Sequence, residues 1–133
     1  MLHSAFALLL LTTAVAVLML IRRIKAARSG EVRLRQYKLM DGDMPDKVVQ
    51  AGNNYRNLFE MPVLFYTAVV AFLALGEGSE PVALALAWGY VALRAVHSAI
   101  HLTYNHVGHR LGIFLLSNLV LLALWLRLIW LAA

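Results

Sequence analysis

The chain contains no cysteine, and this absence excludes several kinds of chemistry. Disulfides, catalytic thiolates and cysteine-ligated metal sites all require that residue. Acidic residues are also scarce, with 7 aspartates and glutamates against 12 lysines and arginines among 133 residues. Neither a phosphate-binding glycine loop nor a G-x-S-x-G nucleophile turn occurs. The sequence therefore gives no sign of a nucleotide-binding site or an activated-serine site.

The composition is that of a membrane protein. The chain is 62% hydrophobic and 14% charged, with a mean hydropathy of +0.72, which is too apolar for an ordinary soluble domain. Its apolar runs cover residues 4–21, 61–75, 82–93 and 111–126. A spanning helix needs about 20 residues, so the two middle runs must extend into polar flanks. We predict one all-α domain over residues 1–133, an integral membrane four-helix bundle with spans at 3–28, 46–75, 80–104 and 110–131.

Local signals support these boundaries. Asp43 is a candidate N-cap for the second span, with Pro45 expected in the first turn. Ser79 or Glu80 leads into a third helix that starts with proline. Residues 105–109 separate the third helix from the fourth. The first apolar run lacks a preceding basic segment, so we expect it to remain as the first helix and not to be cleaved as a signal peptide.

The distribution of charge predicts the topology. Eight basic residues lie at the end of the first span, in the loop that follows or at the start of the second span, a stretch called the basic connection below: Arg22, Arg23, Lys25, Arg28, Arg33, Arg35, Lys38 and Lys47. The next connection contains only acidic charges, Glu77 and Glu80. By the positive-inside rule, the basic connection is cytoplasmic and both termini lie outside. Juxtamembrane basic residues are orientation signals or contacts for anionic lipids, so we do not expect a nucleic-acid partner.

A polar stripe leads into the second apolar run. At helical spacing, one face carries Asn53, Arg56, Asn57 and Glu60. A carboxylate at membrane depth costs roughly 2.5 to 3.5 kcal/mol, so it normally faces the bundle interior and has a partner. We therefore predict that this stripe carries the chemistry of the protein. No span is expected to be broken midway, which disfavours a channel or transporter.

The third span has a stripe of its own, formed by Arg94, His97, His101 and Tyr104. These side chains can form a pocket wall in which the histidines bond a ligand and an arginine holds an anion. The alternative is a polar seam between helices, with Arg94 paired to Glu60. The spacing of His97 and His101 would also allow metal chelation with Glu60 as a third ligand. The paired carboxylate motifs of a di-metal bundle are absent, so we expect no metal.

These residues together resemble the MAPEG family, the membrane-associated proteins in eicosanoid and glutathione metabolism. The resemblance rests on Asn53-x-x-Arg56-Asn57-x-x-Glu60-x-Pro62, then Arg94-x-x-His97-x-x-x-His101, then Arg110. It extends over nearly the whole chain. It implies a homotrimer of four-helix subunits, with glutathione bound between neighbouring subunits near the cytoplasmic face.

The resemblance also implies residue roles. Arg110 matches the arginine that stabilises the glutathione thiolate and is the expected catalytic residue. The expected glutathione-binding residues are Arg33, Asn53, Arg56, Asn57, Glu60, Arg94, His97 and His101. Arg33 would reach the ligand from a neighbouring subunit. Asn53 stands where the family usually has an arginine, His101 where many members have a tyrosine, and Phe114 where an aromatic hydroxyl would help. The loss of one arginine contact, worth roughly 1.5 to 3 kcal/mol, would weaken glutathione binding.

Two functions follow as expectations. The first is a glutathione-dependent transferase or peroxidase that acts on lipophilic electrophiles taken from the bilayer. The alternative is a non-enzymatic protein of the same fold that binds another anionic ligand, such as a lipid headgroup. A compact, cysteine-free chain with four spans suits a bacterial inner membrane, with the site facing the cytoplasm.

Overall fold

The computed structural model of the chain describes residues 1–39 and 42–133, and its regular structure there is entirely helical. The helices are α1 (Leu2–Arg28), α2 (Leu34–Leu39), α3 (Asp46–Asn57), α4 (Pro62–Ala74), α5 (Pro81–Leu102) and α6 (Val107–Ala132). Four stretches are long and apolar enough to cross a membrane, namely α1, α3 together with α4, α5, and α6. The prediction of an all-α membrane protein with four spans is confirmed.

The second span is interrupted at residues 58–61, between α3 and α4. Pro62 cannot donate a hydrogen bond to the carbonyl of Leu58, and its ring clashes with that carbonyl in a continuous helix. The chain instead tightens into a turn, in which the N–H of Phe59 donates to the carbonyl of Arg56 at 2.9 Å. The expectation that no span is broken midway is therefore wrong. Glu60 lies in this break and not on the helical stripe to which its spacing assigned it.

The interior of the bundle is closed by aromatic side chains and small residues. Phe65 of α4 stacks on Tyr90 of α5 with ring centroids 4.9 Å apart, and both side chains are completely buried. Ala83 and Ala87 on α5 are also completely buried. Small residues allow helix backbones to approach closely, which is how membrane helices gain packing energy without a hydrophobic driving force between them.

The start of α5 confirms one predicted cap and the start of α3 contradicts another. Glu80 precedes Pro81, and its Oε2 accepts a hydrogen bond from the N–H of Ala83 at 2.6 Å. The prediction that Asp43 caps α3 is wrong, because Pro45 is itself the N-cap residue and no side chain caps this helix. Pro45 has an extended ψ of 137°, so it lies just outside α3 and places Asp43 too far upstream.

Glu80 forms a second contact, at the end of the bundle that lies farthest from the basic connection. Arg127 of α6 donates from Nη2 to Glu80 Oε1 at 2.8 Å, and its guanidinium lies 4.4 Å from the ring centroid of Trp130. The amino group of Met1 donates to the carbonyl of Gly78 in the same connection, at 3.0 Å. The turn between α4 and α5 is thus bonded to α1 and to α6.

This contact predicts an acid-dependent loss of stability. The hydrogen bond from Arg127, with help from the backbone N–H of Ala83, lowers the pKa of Glu80 below its ordinary value of 4.5. A carboxyl group with a lowered pKa in the folded protein stabilises it fully above the unfolded pKa, and that contribution is lost as the pH falls through the folded pKa. We expect the melting temperature in detergent to fall less between about pH 6 and pH 3 in Glu80→Gln than in the wild type.

The matched control is Glu77→Gln, which removes a neighbouring carboxyl group without a side-chain partner among the described residues. This control should keep the acid sensitivity of the wild type. Equal acid sensitivity in the wild type and Glu80→Gln would contradict the prediction.

Candidate functional site

A cavity of about 420 Å³ opens between α3, the break that follows it, the end of α5 and the start of α6. It is lined by Asn53, Arg56, Asn57, Glu60, His97, His101, Val107, Arg110, Leu111 and Phe114. The structure thus brings seven of the nine predicted site residues to one cavity, and the exceptions are Arg33 and Arg94. This volume lies within the range of about 300 to 1,000 Å³ typical of small-molecule sites.

Arg94 lies beneath the cavity and not on its wall. Its side chain is completely buried, and Nη2 donates to the carbonyl of Asn57 at 3.0 Å and also to Asn57 Oδ1. The alternative in which Arg94 pairs with Glu60 is wrong. Glu60 lies in the break and not on the helical stripe, and Arg94 bonds Asn57 instead. The carbonyl of Asn57 ends α3 inside the span, where an unsatisfied polar group is costly. Arg94 therefore caps the broken helix.

Asn57 links Arg94 to Glu60 through a second hydrogen bond. With Oδ1 facing Arg94, the amide nitrogen Nδ2 faces the break and donates to Glu60 Oε2 at 3.2 Å. An asparagine amide has one accepting and one donating end, so the arginine determines which end faces the carboxylate. Glu60 is exposed to the cavity and is oriented by this chain of two hydrogen bonds although it belongs to no helix.

Arg110, in the first turn of α6, lines the same cavity. Its Nη1 donates to His101 Nε2 at 3.3 Å and to Asn105 Oδ1 at 2.9 Å. Within the described residues, Nε and Nη2 of Arg110 have no partner and are not buried. One edge of the guanidinium is therefore held by the protein while the other is open to an anion in the cavity.

Sequence reasoning placed Asn105 in the connection between α5 and α6 but missed its contact with Arg110. Its backbone has a φ of 49°, and its N–H donates to the carbonyl of Ile100 at 2.8 Å, which ends α5. Asparagine is one of the few residues other than glycine that adopts this left-handed conformation readily. An asparagine shortly after the end of a helix is a known stop signal, and that signal could have identified Asn105 as a structural anchor.

Arg56 and Asn53 project from α3 with exposed side chains that have no partner in the part of the chain the structure describes. Both also line a second cavity of about 610 Å³ on the α1 side of α3, where Arg23 is a further basic residue. Arg33 lies outside both cavities, in the connection between α1 and α2, with an exposed side chain. The single chain does not bring Arg33 to the site, and its expected reach into a neighbouring subunit stays a prediction.

His97 and His101 of α5 do not have the surroundings of a metal site. Their ring centroids are 5.8 Å apart, but His101 Nε2 already contacts the guanidinium of Arg110. No group of three histidine, aspartate or glutamate side chains among residues 1–39 and 42–133 is placed to hold a metal ion. Tyr104, predicted on the same stripe, lies beyond the end of α5, is 61% exposed and bonds His109 Nδ1 at 3.2 Å. It does not line the cavity.

Comparison with known proteins gives one match. The model of the MAPEG family matches residues 1–130, which is nearly the whole chain. Searches of the curated proteins and of the solved structures found no match to this chain. The family match covers every residue that lines the cavity.

Proposed function

Because the chain belongs to the MAPEG family of glutathione-related membrane proteins, we propose that its cavity binds glutathione and activates it for transfer to a lipophilic electrophile or for reduction of a hydroperoxide. The observation that carries this proposal is that a carboxylate, Glu60, and a cation, Arg110, from different parts of the chain line the same cavity. Glutathione carries two carboxylates, an ammonium and a thiol. A site for it needs a carboxylate for the ammonium, cations for the acids and a cation near the sulfur.

Each requirement has a candidate side chain. Glu60, oriented by Asn57, accepts from the ammonium. Arg56, which has no partner in the described chain, binds a carboxylate of the peptide. The open edge of Arg110 faces the sulfur and favours the thiolate, since a nearby positive charge lowers the pKa of a thiol from about 8.5. His97 and His101 complete the wall between these groups. Arg94 orients Glu60 through Asn57 and does not itself line the cavity.

We also propose that the site is completed by a second copy of the chain in a homotrimer. The exposed, unpartnered side chains of Asn53 and Arg56 support this, because polar groups on a membrane span need cover from lipid. In such an assembly Arg33 of one subunit contacts glutathione held by the next. The basic connection and the cavity mouth face the cytoplasm, and both termini lie outside. We assign the protein to a bacterial inner membrane.

The second substrate enters from the bilayer along α6. Leu111 lines the cavity, and Leu115 and Leu119 continue the same face of α6 with 53% and 62% of their surfaces exposed. Residues four apart share a helix face, so this row forms an apolar path from the lipid to the cavity. The lipophilic class of the electrophile follows from that path.

Glutathione titration in detergent tests the proposal. Glu60→Gln keeps the size of the side chain and removes its charge, so the contact with the ammonium loses about 1.5 to 3 kcal/mol and the Kd rises by one to two decades. Calorimetry measures this change directly. Glu77→Gln, which alters a glutamate in the connection between α4 and α5, should leave the Kd unchanged.

A second candidate function is favoured by the excess of positive charge in the cavity. Arg56 and Arg110 line the cavity together with a single carboxylate, Glu60. Asn53 stands where an arginine is usual in the family, which removes one contact expected for glutathione. This set also suits an anionic lipid headgroup bound without catalysis. A wild-type protein that ignores glutathione and is stabilised by acidic lipids would establish this alternative and exclude the first.

A further inference from the structure

The guanidinium of Arg110 is held at a single nitrogen by two acceptors that carry no negative charge. Nη1 donates to the amide oxygen of Asn105 at 2.9 Å and to the imidazole of His101 at 3.3 Å. Imidazole accepts a hydrogen bond only when it is neutral. Two contacts at one nitrogen restrict the rotation of the planar group, and they leave its other edge free.

The position of Asn105 is determined by the backbone and does not depend on Arg110. The N–H of Asn105 closes the end of α5 on the carbonyl of Ile100, and the residue takes a φ of 49°. In this conformation the side-chain oxygen of Asn105 reaches the guanidinium of Arg110, which lies in the first turn of α6. Most other residues would be strained at this φ, whereas asparagine and glycine tolerate it.

We propose that Asn105 is a positioning residue for the proposed glutathione reaction, and that it aims Arg110 at the sulfur without neutralising its charge. This inference rests on the proposed function. An aspartate at the same place would bond Arg110 as firmly, but its negative charge would oppose the thiolate. Electrostatic interactions at a partly buried site are several times stronger than in bulk water, so the neutrality of this acceptor matters.

The other charged or titratable groups that face Arg110 are the same in every variant considered below. Arg56 and Glu60 approach from α3 and the break, and His97 and His101 approach from α5. A difference in pH dependence between position-105 variants is therefore caused by position 105.

The test uses two variants that both accept the left-handed backbone. Asn105→Gly removes only the amide, so Arg110 loses its stronger anchor. Asn105→Asp keeps the anchor and adds a negative charge. We measure the pKa of protein-bound glutathione from its ultraviolet thiolate absorbance and from the pH profile of kcat. Asn105→Gly should raise this pKa by about one unit, which means roughly tenfold less thiolate at neutral pH. Asn105→Asp should raise it further.

Tyr104→Phe is the matched control from the same turn. It removes the contact with His109 and touches neither Arg110 nor the cavity, so the thiolate pKa should equal that of the wild type. A thiolate pKa unchanged in both position-105 variants would overturn the positioning role and leave the proposed function standing. A wild-type protein that forms no bound thiolate would overturn both. A fall in melting temperature without a change in the pH profile would show a structural role only and would also overturn the inference.

Discussion

Arg110→Ala should lower glutathione-dependent turnover by about 10- to 150-fold, because it removes a cation contact worth about 1.5 to 3 kcal/mol. The loss should fall on kcat more than on the KM for glutathione. Glu60 and Arg56 still hold the peptide in this variant, while the thiolate loses its counter-charge. Steady-state kinetics with an aryl halide, combined with the absorbance of bound thiolate, measures both parts of this effect.

Two further variants define what Arg110 contributes. Arg110→Lys keeps the charge but loses the planar fork that bonds His101 and Asn105, so its activity should lie between those of the wild type and Arg110→Ala. Arg28→Ala removes an exposed arginine of the basic connection and should leave activity unchanged. The assignment of Arg110 would be wrong if Arg110→Ala had the wild-type kcat and the wild-type thiolate signal.

The second large effect concerns stability. Asn57→Leu should lower the free energy of unfolding by about 1.5 to 3 kcal/mol, because the buried guanidinium of Arg94 loses the side-chain acceptor that it bonds. A buried charge that loses a partner is destabilising, whereas removal of both partners is much better tolerated. The double variant Asn57→Leu with Arg94→Leu should therefore be more stable than Asn57→Leu alone. Thermal unfolding in detergent gives the comparison.

The same pair of variants separates stability from binding. Both should bind glutathione more weakly than the wild type, since Glu60 has lost the amide that orients it. The recovery of stability in the double variant should bring no recovery of affinity. Additive losses of stability in the double variant would contradict the coupling of Arg94 to Asn57.

The fold was largely predictable because its signals are local. The apolar runs, Pro81 and the glutamate before it predict the spans and the start of α5 from neighbouring residues alone. The break at residues 58–61 had a signal too, since a proline inside a helical pattern ends or kinks the helix. Pro62 was instead assigned to one continuous span over residues 46–75. The polar stripe favoured a continuous helix over these residues, so the interruption was not predicted.

The site was predictable as a set of residues but not as a set of contacts. Helical spacing places His97 and His101 on one face, and both side chains line the cavity. Spacing says nothing about rotation between helices or about which polar groups meet across them. Arg94 was therefore assigned to the ligand or to Glu60, although it caps α3 at Asn57. The contact of Asn105 with Arg110 was missed because it depends on a backbone conformation. The predicted reach of Arg33 involves a second copy of the chain and stays a prediction.

The most direct test of the account is the structure of the protein in lipid nanodiscs with glutathione present. The account predicts glutathione in the cavity between α3, α5 and α6, with its sulfur beside the open edge of Arg110 and its ammonium beside Glu60. Arg33 of the neighbouring subunit should approach the same ligand. A cavity occupied by a lipid headgroup, or glutathione bound elsewhere on the protein, would contradict the account.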